Sequence, residues 1–248
     1  MGRLSTRLRA LVLIPTYNER ENLPELVERL SAVREELPFS VLFVDDGSPD
    51  GTPELIREYM GRHGWIDLVV RVGERGLGTA LLRGYKYALE RGYDVLVQMD
   101  ADLQHPPELI PRLVSRVAGG CDAVVASRYI EGGGFSRWPL HRRVVSRVAN
   151  WYARAVLGLG VRDATSGFRA FSRRALEAIV EAGPRCGGYA FQVETLAILS
   201  RAGMRLCEEP FVFARRERGS SKLGAGEIVR FAAAVVGMRF RRRRPSHS

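Results

Sequence analysis

Tyr93-Asp94-Val95-Leu96-Val97-Gln98-Met99-Asp100-Ala101-Asp102-Leu103-Gln104-His105-Pro106-Pro107 reads as an apolar strand that runs straight into two carboxylates spaced i, i+2. Pro106 and Pro107 stop the strand and stiffen its exit. Mg²⁺ and Mn²⁺ prefer oxygen ligands, and in substrate sites one or two carboxylates share the ion with phosphate oxygens and water. Asp100 and Asp102 make such a half-site, and Gln104 adds a neutral carbonyl oxygen on the same edge. An isolated Asp-x-Asp is more often a solvated turn, because Asp is common wherever strands end. The surrounding segments decide between the two readings.

Working outward, strand-like segments at Ala10–Ile14, Ser40–Val44, Ile66–Val70, Val95–Met99 and Ala123–Ala126 alternate with helical ones. Glu21 to Leu37 places Leu23, Leu26, Val27, Leu30 and Val33 on one face, and Thr79 to Arg91 follows a glycine-rich turn. This alternation predicts an α/β fold with a mostly parallel central sheet flanked by helices. In such sheets ligands lie outside the carboxyl ends of the strands. The first strand ends in Pro15-Thr16-Tyr17-Asn18-Glu19, and the second in Asp45-Asp46-Gly47-Ser48-Pro49-Asp50-Gly51-Thr52. Tyr17 offers a stacking surface, while Glu19 and Asp46 offer acceptors for ring nitrogens or ribose hydroxyls. The third connection, Gly73-Glu74-Arg75-Gly76-Leu77-Gly78-Thr79-Ala80, lets backbone approach a ligand closely. It matches neither the dinucleotide-binding fingerprint nor a P-loop, which argues against an oxidoreductase or an NTPase.

Composition sets the outer limits. At 248 residues, 46% hydrophobic and 27% charged, the chain fits one globular domain with a short appendage. Cys121, Cys186 and Cys207 are odd in number and far apart, so neither a disulfide framework nor a zinc site is expected, and a reducing cytoplasm fits better. No apolar run approaches the roughly 18 residues needed to span a bilayer, and the N-terminus does not form a signal peptide. Residues 201–248 hold 12 Lys and Arg against 4 Asp and Glu, so this last fifth supplies most of the formal charge of +10. The run Arg239-Phe240-Arg241-Arg242-Arg243-Arg244 suits anionic head groups, nucleic acid or an acidic partner equally well. Nothing in the chain looks like a nucleic-acid-reading module, and a nucleic-acid-binding protein is the weaker alternative.

Taken together, Val12-Leu13-Ile14-Pro15-Thr16-Tyr17-Asn18-Glu19, Val44 to Thr52 and Met99 to Pro107 resemble the inverting family 2 glycosyltransferases, and within them the polyprenyl-phosphate (dolichol-phosphate) mannosyltransferases. Ser127-Arg128-Tyr129, Thr165-Ser166-Gly167-Phe168-Arg169-Ala170-Phe171 and Gly219-Ser220-Ser221-Lys222-Leu223-Gly224 extend the resemblance over residues 10 to 226. It implies an A-type, Rossmann-like nucleotide-sugar fold. It further implies transfer of mannose from GDP-mannose to a polyprenyl or dolichyl phosphate with inversion. The alternative is a UDP-glucose-dependent relative. In this family Pro15, Tyr17, Glu19, Val44 and Asp46 would hold the nucleotide, and Asp100, Ala101 and Asp102 would follow the diphosphate and sugar. Asp102 and Gln104 would ligate Mg²⁺ or Mn²⁺, while Arg128, Arg216 and Lys222 would gather phosphates. Asp102, Arg128 and Arg216 are the catalytic candidates. The chain reads Arg215-Arg216-Glu217-Arg218 where the family has an acidic residue before the late Arg, which leaves open which arginine takes that role.

A phosphate monoester, with a second pKa of about 6, is ionised at neutral pH and needs no strong base to attack a sugar carbon. His63, His105, His141 and His247 are accordingly read as surface or structural residues. Residues 1–226 are expected to form the catalytic domain, and 227–248 an amphipathic helix with a basic tail. A lipid acceptor is met at a membrane surface, and two segments suit it. From Val144 to Leu159, Val144, Val145, Val148, Trp151, Tyr152, Ala155, Val156 and Leu159 recur at helical spacing; Glu227 to Phe240 is the second. The expectation is a protein peripheral to the cytoplasmic face of a membrane, with a separate membrane-anchor protein as partner.

Overall fold

The predicted strands at 10–14, 40–44 and 123–126 are almost wholly apolar because both of their faces are covered, which is the signature of a parallel sheet between two helical layers. In β1 (Ala10–Thr16), Ala10, Val12 and Ile14 join one core with Leu26 and Leu30 of α1 (Leu23–Glu36) and Leu113 of α4 (Ile110–Ala118). Leu11 and Leu13 point the other way, to Leu81 and Tyr85 of α3 (Leu77–Glu90) and Leu176 of α6 (Arg173–Ala182). β2 (Ser40–Asp45) divides in the same manner, with Val41 and Phe43 on the first side and Leu42 and Val44 on the second. The computed structural model describes residues 8–136, 138–213 and 225–240.

The main sheet has seven strands in the order β3-β2-β1-β4-β7-β5-β8, with β3 at Ile66–Val70, β4 at Val95–Gln98, β5 at Ala123–Ser127, β7 at Arg169–Ser172 and β8 at Leu206–Pro210. β1 lies parallel to both β2 and β4, so the chain runs outward to β3 and crosses back to β4 on the other side of β1. The crevice beside β1 and β4 is therefore a topological switch point, where α/β sheets bind ligands. β7 is antiparallel to β4 and β5, and this brings the segment before Arg169 to the carboxyl ends of both neighbours.

All five predicted strands form, although β1 runs on through Pro15 and Thr16 and β4 stops before Met99. β7 and β8 escape a reading by apolar pattern. The first is four residues long and opens on an arginine; the second, Leu206-Cys207-Glu208-Glu209-Pro210, carries two carboxylates and a proline as an edge strand should. A small parallel pair, β6 (Gly134–Phe135) with β9 (Val212–Phe213), stands beside the main sheet.

A third core joins α5 (Leu140–Leu157), α7 (Gly188–Arg201) and α8 (Ala225–Phe240) through Ala153, Val193, Leu196, Val235 and Met238. Tyr152 Oη donates to the Ala232 carbonyl at 3.2 Å, which ties α5 to α8. Among the described residues no helix is long and apolar enough to cross a membrane.

The cysteine expectation is overturned. Cys121 and Cys207 form a disulfide with Cα atoms 6.0 Å apart, although 86 positions separate them in sequence. The cause is sheet register: β5 pairs with β8, Val124 opposite Cys207, so the turn just before β5 faces the edge strand. Cysteine usage therefore no longer argues for a reducing compartment.

Candidate active site

Four connections meet at the carboxyl edge of the sheet. The turn after β1 is fixed by Thr16, whose hydroxyl donates to Asp45 Oδ2 at 2.8 Å, and by Asn18, whose amide donates to Ser48 Oγ at 2.9 Å. Asp45 also accepts the Ser48 amide and hydroxyl and is fully buried, so of the two adjacent carboxylates it is the structural one. Asp46 faces the connection after β3, its side chain 11% exposed. Its Oδ1 accepts Arg71 Nε at 2.8 Å and its Oδ2 accepts the Gly76 amide at 2.9 Å. Tyr17 remains 38% exposed, Glu19 accepts the Asn22 side-chain amide at 2.6 Å, and Pro15 and Val44 are register partners beneath the site.

The Asp-x-Asp turn is tightly built. Leu103 adopts φ 62°, and Asn18 in the β1 turn adopts φ 59°; left-handed backbone outside glycine costs energy and concentrates where function demands it. The Asp100 amide donates to His105 Nδ1 at 3.0 Å, which leaves that nitrogen an acceptor and the ring proton on Nε2. His105 is buried and stacks on Phe168 with centroids 5.0 Å apart. Asp102 is buried, with Oδ1 accepting the Gln104 amide at 3.1 Å, whereas the Asp100 side chain is nearly half exposed. Ala101 lies buried between them.

The fourth part comes from the segment before β7. A Cβ on Gly167 would lie 3.6 Å from Asp100 Oδ2, so a larger side chain there would intrude on the carboxylate. The Gly167 carbonyl accepts Gln98 Nε2 at 2.8 Å, and Gln98 in turn accepts Tyr85 Oη at 2.5 Å. Arg169 stands behind this loop, fully buried, donating to the Ser166, Ala164 and Gln192 carbonyls and to Thr195 Oγ1. Burial pulls its pKa down to about 10, which leaves it charged at neutral pH.

Arg128 follows β5 and is buried. Its Nε and one terminal nitrogen each bond Asp163 at 2.7 Å, and its guanidinium lies over the Phe213 ring at 5.3 Å. Burial lowers its pKa, but the charge and hydrogen bonds of Asp163 outweigh this and the net shift is upward. Glu208 of β8 accepts the amides of Arg162 and Asp163, so the edge strand supports the carboxylate that grips Arg128.

The structure thus brings Pro15, Tyr17, Glu19, Val44, Asp46, Asp100, Ala101, Asp102, Gln104 and Arg128 to one edge of the sheet. Arg216 and Lys222 lie outside the described residues, as do His247 and Arg241 to Arg244. Arg71 and Asp163 also hold this edge together. Arg71 directly follows β3, where the strand-end rule points, whereas Asp163 precedes β7, whose four residues carry no apolar run to announce it.

Residues 11–180 match the family described as Glycosyl transferase family 2. The chain is 42% identical over 236 residues to the polyprenol monophosphomannose synthase of Mycolicibacterium smegmatis, covering 94% of this chain and 88% of that protein. It is 42% identical over 222 residues to the undecaprenyl-phosphate mannosyltransferase of Micrococcus luteus, covering 89% and 90%. With the dolichol-phosphate mannosyltransferase of Pyrococcus furiosus it shares 37% identity over 226 residues, which cover 90% of this chain and 62% of that one. Among solved structures, glucosyl-3-phosphoglycerate synthase from Mycobacterium tuberculosis in complex with UDP superposes with a TM-score of 0.67 at 20% identity, covering 94% of this chain and 80% of that chain. The same enzyme with Mn²⁺, UDP and glucosyl-3-phosphoglycerate gives 0.67 at 21%, covering 94% and 78%. At such identity the likeness shows the fold alone, that of the A-type glycosyltransferases. The chain belongs to glycosyl transferase family 2 and is a glycosyltransferase of the polyprenyl-phosphate mannosyltransferase group.

Proposed function

We propose that the enzyme transfers mannose from GDP-mannose to a polyprenyl phosphate with inversion, giving a β-linked polyprenyl mannosyl phosphate and GDP. The observation that carries the chemistry is the Asp100-Ala101-Asp102 turn at the switch point, with a buried Asp102 beside Gln104 and a half-exposed Asp100. The names of the three relatives support the choice of sugar and acceptor.

Among the described residues no cluster of three or more His, Cys, Asp or Glu forms a closed metal cage. An all-oxygen set of one buried carboxylate and one amide carbonyl suits instead a hard cation that keeps water and takes phosphate oxygens as its remaining ligands. Asp102 and Gln104 would hold Mg²⁺ or Mn²⁺, which would neutralise charge on the departing nucleoside diphosphate. Tyr17, Glu19 and Asp46 bind the nucleoside, with Pro15 and Val44 shaping the floor. Asp100 and Ala101 meet the sugar and diphosphate. Arg128, held rigid by Asp163, and the later Arg216 and Lys222 gather phosphate charge from donor and acceptor. The acceptor phosphate is already ionised, so the protein's task is in-line placement, with the diphosphate blocking the front face of the sugar.

The lipid acceptor requires contact with a membrane surface, and the helices beside the third core supply it. Leu140, Val144, Val148 and Trp151 fall on one face of α5 and all point to solvent, Trp151 being 67% exposed. Ile228, Val229, Val236 and Phe240 do the same on α8. The stripe expected from Val144 to Leu159 is divided, since Tyr152 and Val156 pack inward and Leu159 is buried, while Leu140 extends the exposed part. Exposed Trp and aliphatic side chains flanked by arginines fit the interfacial plane of a bilayer. We place the catalytic unit in residues 1–226 and the surface-binding appendage in 227–248, peripheral to the cytoplasmic face and open to a membrane-anchor partner.

The deciding assay offers purified protein GDP-mannose, GDP-glucose and UDP-glucose in turn, each with short polyprenyl phosphate and Mg²⁺ or Mn²⁺, and counts label in the lipid phase. Metal-dependent transfer from GDP-mannose is expected, and Asp102→Ala should abolish it while circular dichroism still reports a folded protein. Transfer from UDP-glucose alone would replace the donor assignment, and an active Asp102→Ala would remove the metal assignment.

A further inference from the structure

The connection from Arg71 to Gly76 is a flap whose two feet hold one carboxylate. Arg71, itself buried, donates through Nε to Asp46 Oδ1 at 2.8 Å, and the Gly76 amide donates to Asp46 Oδ2 at 2.9 Å. Arg71 also donates to Thr79 Oγ1 at 2.8 Å and to the Gly76 carbonyl at 3.1 Å, so the feet are fixed to the start of α3. Between the feet the chain is open to solvent, with Val72 88% exposed. Gly73 at φ 80° and Gly76 at φ 137° supply backbone that other residues enter only with strain. From this flap Arg75 reaches back across the site, its guanidinium carbon 4.8 Å above the centroid of the Tyr17 ring. Its guanidinium makes no ion pair among the described residues, so the ring contact is exchangeable.

Arg75 thus lies over the ring face of Tyr17 on which the nucleobase is placed under the proposed function. A guanidinium stacks on a nucleobase as readily as on a phenol, since both are π-faces for a planar, weakly hydrated cation. We infer that Arg75 is the second wall of the base site: the base enters between Tyr17 and Arg75, and the flap lifts on its glycines while its feet stay on Asp46. The nucleotide is then held in a Tyr17–base–Arg75 sandwich. A purine offers the larger face to both walls, so this clamp favours GDP over UDP. Arg75 becomes a binding and specificity-determining residue of the donor site.

This inference rests on the nucleotide reading of the Tyr17 edge, and the test separates the two. Wild type and Arg75→Ala are titrated by calorimetry with GDP, UDP and inorganic pyrophosphate in Mn²⁺, and KM for the sugar nucleotide is measured alongside. Loss of one stacked cation is expected to weaken GDP about tenfold, UDP less, and to raise KM rather than lower kcat. Pyrophosphate binding should be unchanged, and Arg75→Lys, which keeps the charge without the planar face, should recover only part of the loss. Equal or tighter GDP binding by Arg75→Ala would mean that Arg75 merely competes for the ring, and an equal loss for pyrophosphate would make it a phosphate ligand; either overturns the clamp. Wild-type protein that binds GDP no better than pyrophosphate would overturn the nucleotide reading itself, and the clamp with it.

Discussion

Arg169 answers a problem that the loop in front of it creates. Residues 164–168 must turn at the end of two strands with their carbonyls facing inward, and a buried carbonyl without a donor costs about 1–3 kcal/mol. One guanidinium supplies donors to Ala164, Ser166 and Gln192 carbonyls and to Thr195, and no carboxylate is needed because four dipoles share the charge. Arg169→Met should therefore lose about 3–5 kcal/mol of stability in urea unfolding, and the released loop should cost activity through Gly167 and Asp100. A loss below about 1 kcal/mol would mean that water replaces the guanidinium. At this scale the candidate site was largely legible, because strand-end carboxylates and a tyrosine in the first turn declare themselves by position. The division of labour between Asp45 and Asp46 was not, since only the hydrogen bonds of Thr16 and Ser48 show which carboxylate is turned inward.

For the elements, legibility followed the length of the apolar run, so that β7, buried but only four residues long and opened by an arginine, gave no signal. Strands covered on both faces wrote themselves as apolar runs, and α1 wrote its five buried positions at helical spacing. α5 shows where such reading fails: apolar residues at a helical period identify a face without saying which way it points. Its inward side is set by Asn150 and Ala153, which are buried, so the stripe through Val144, Val148 and Trp151 is turned outward. Trp151→Glu combined with Val148→Glu should leave the fold intact, because both side chains are solvent-exposed, and should cut recovery with anionic phosphatidylglycerol vesicles in flotation several-fold. Undiminished flotation would assign membrane contact elsewhere.

At the scale of the whole molecule, the disulfide and the late strands bind the second half of the chain to the first. Cys121–Cys207 closes a loop of 86 residues on the edge strand β8. Cross-links of that span contribute typically about 2–4 kcal/mol, so reduction or Cys207→Ser should lower the melting temperature by roughly 4–16 °C. An unchanged melt would mean that the paired strand alone holds that edge. Partner choice across a sheet and between distant cysteines depends on topology, which no local pattern encodes, and that is why both were absent from the sequence reading.

The position of β7 has a consequence in time. It occupies the middle of the sheet, between β4 and β5, yet it is made of residues 169–172. As the chain leaves the ribosome, β1 to β5 are complete while the slot between two of them is still vacant, so two central strands expose hydrogen-bonding edges of the kind that invite mispairing. The Asp100 turn cannot take its final shape until Gly167 and Phe168 arrive to face it. A nascent chain of this enzyme therefore carries its nucleotide-binding sequences long before it owns an active site, and a truncated product ending before β7 would be inert.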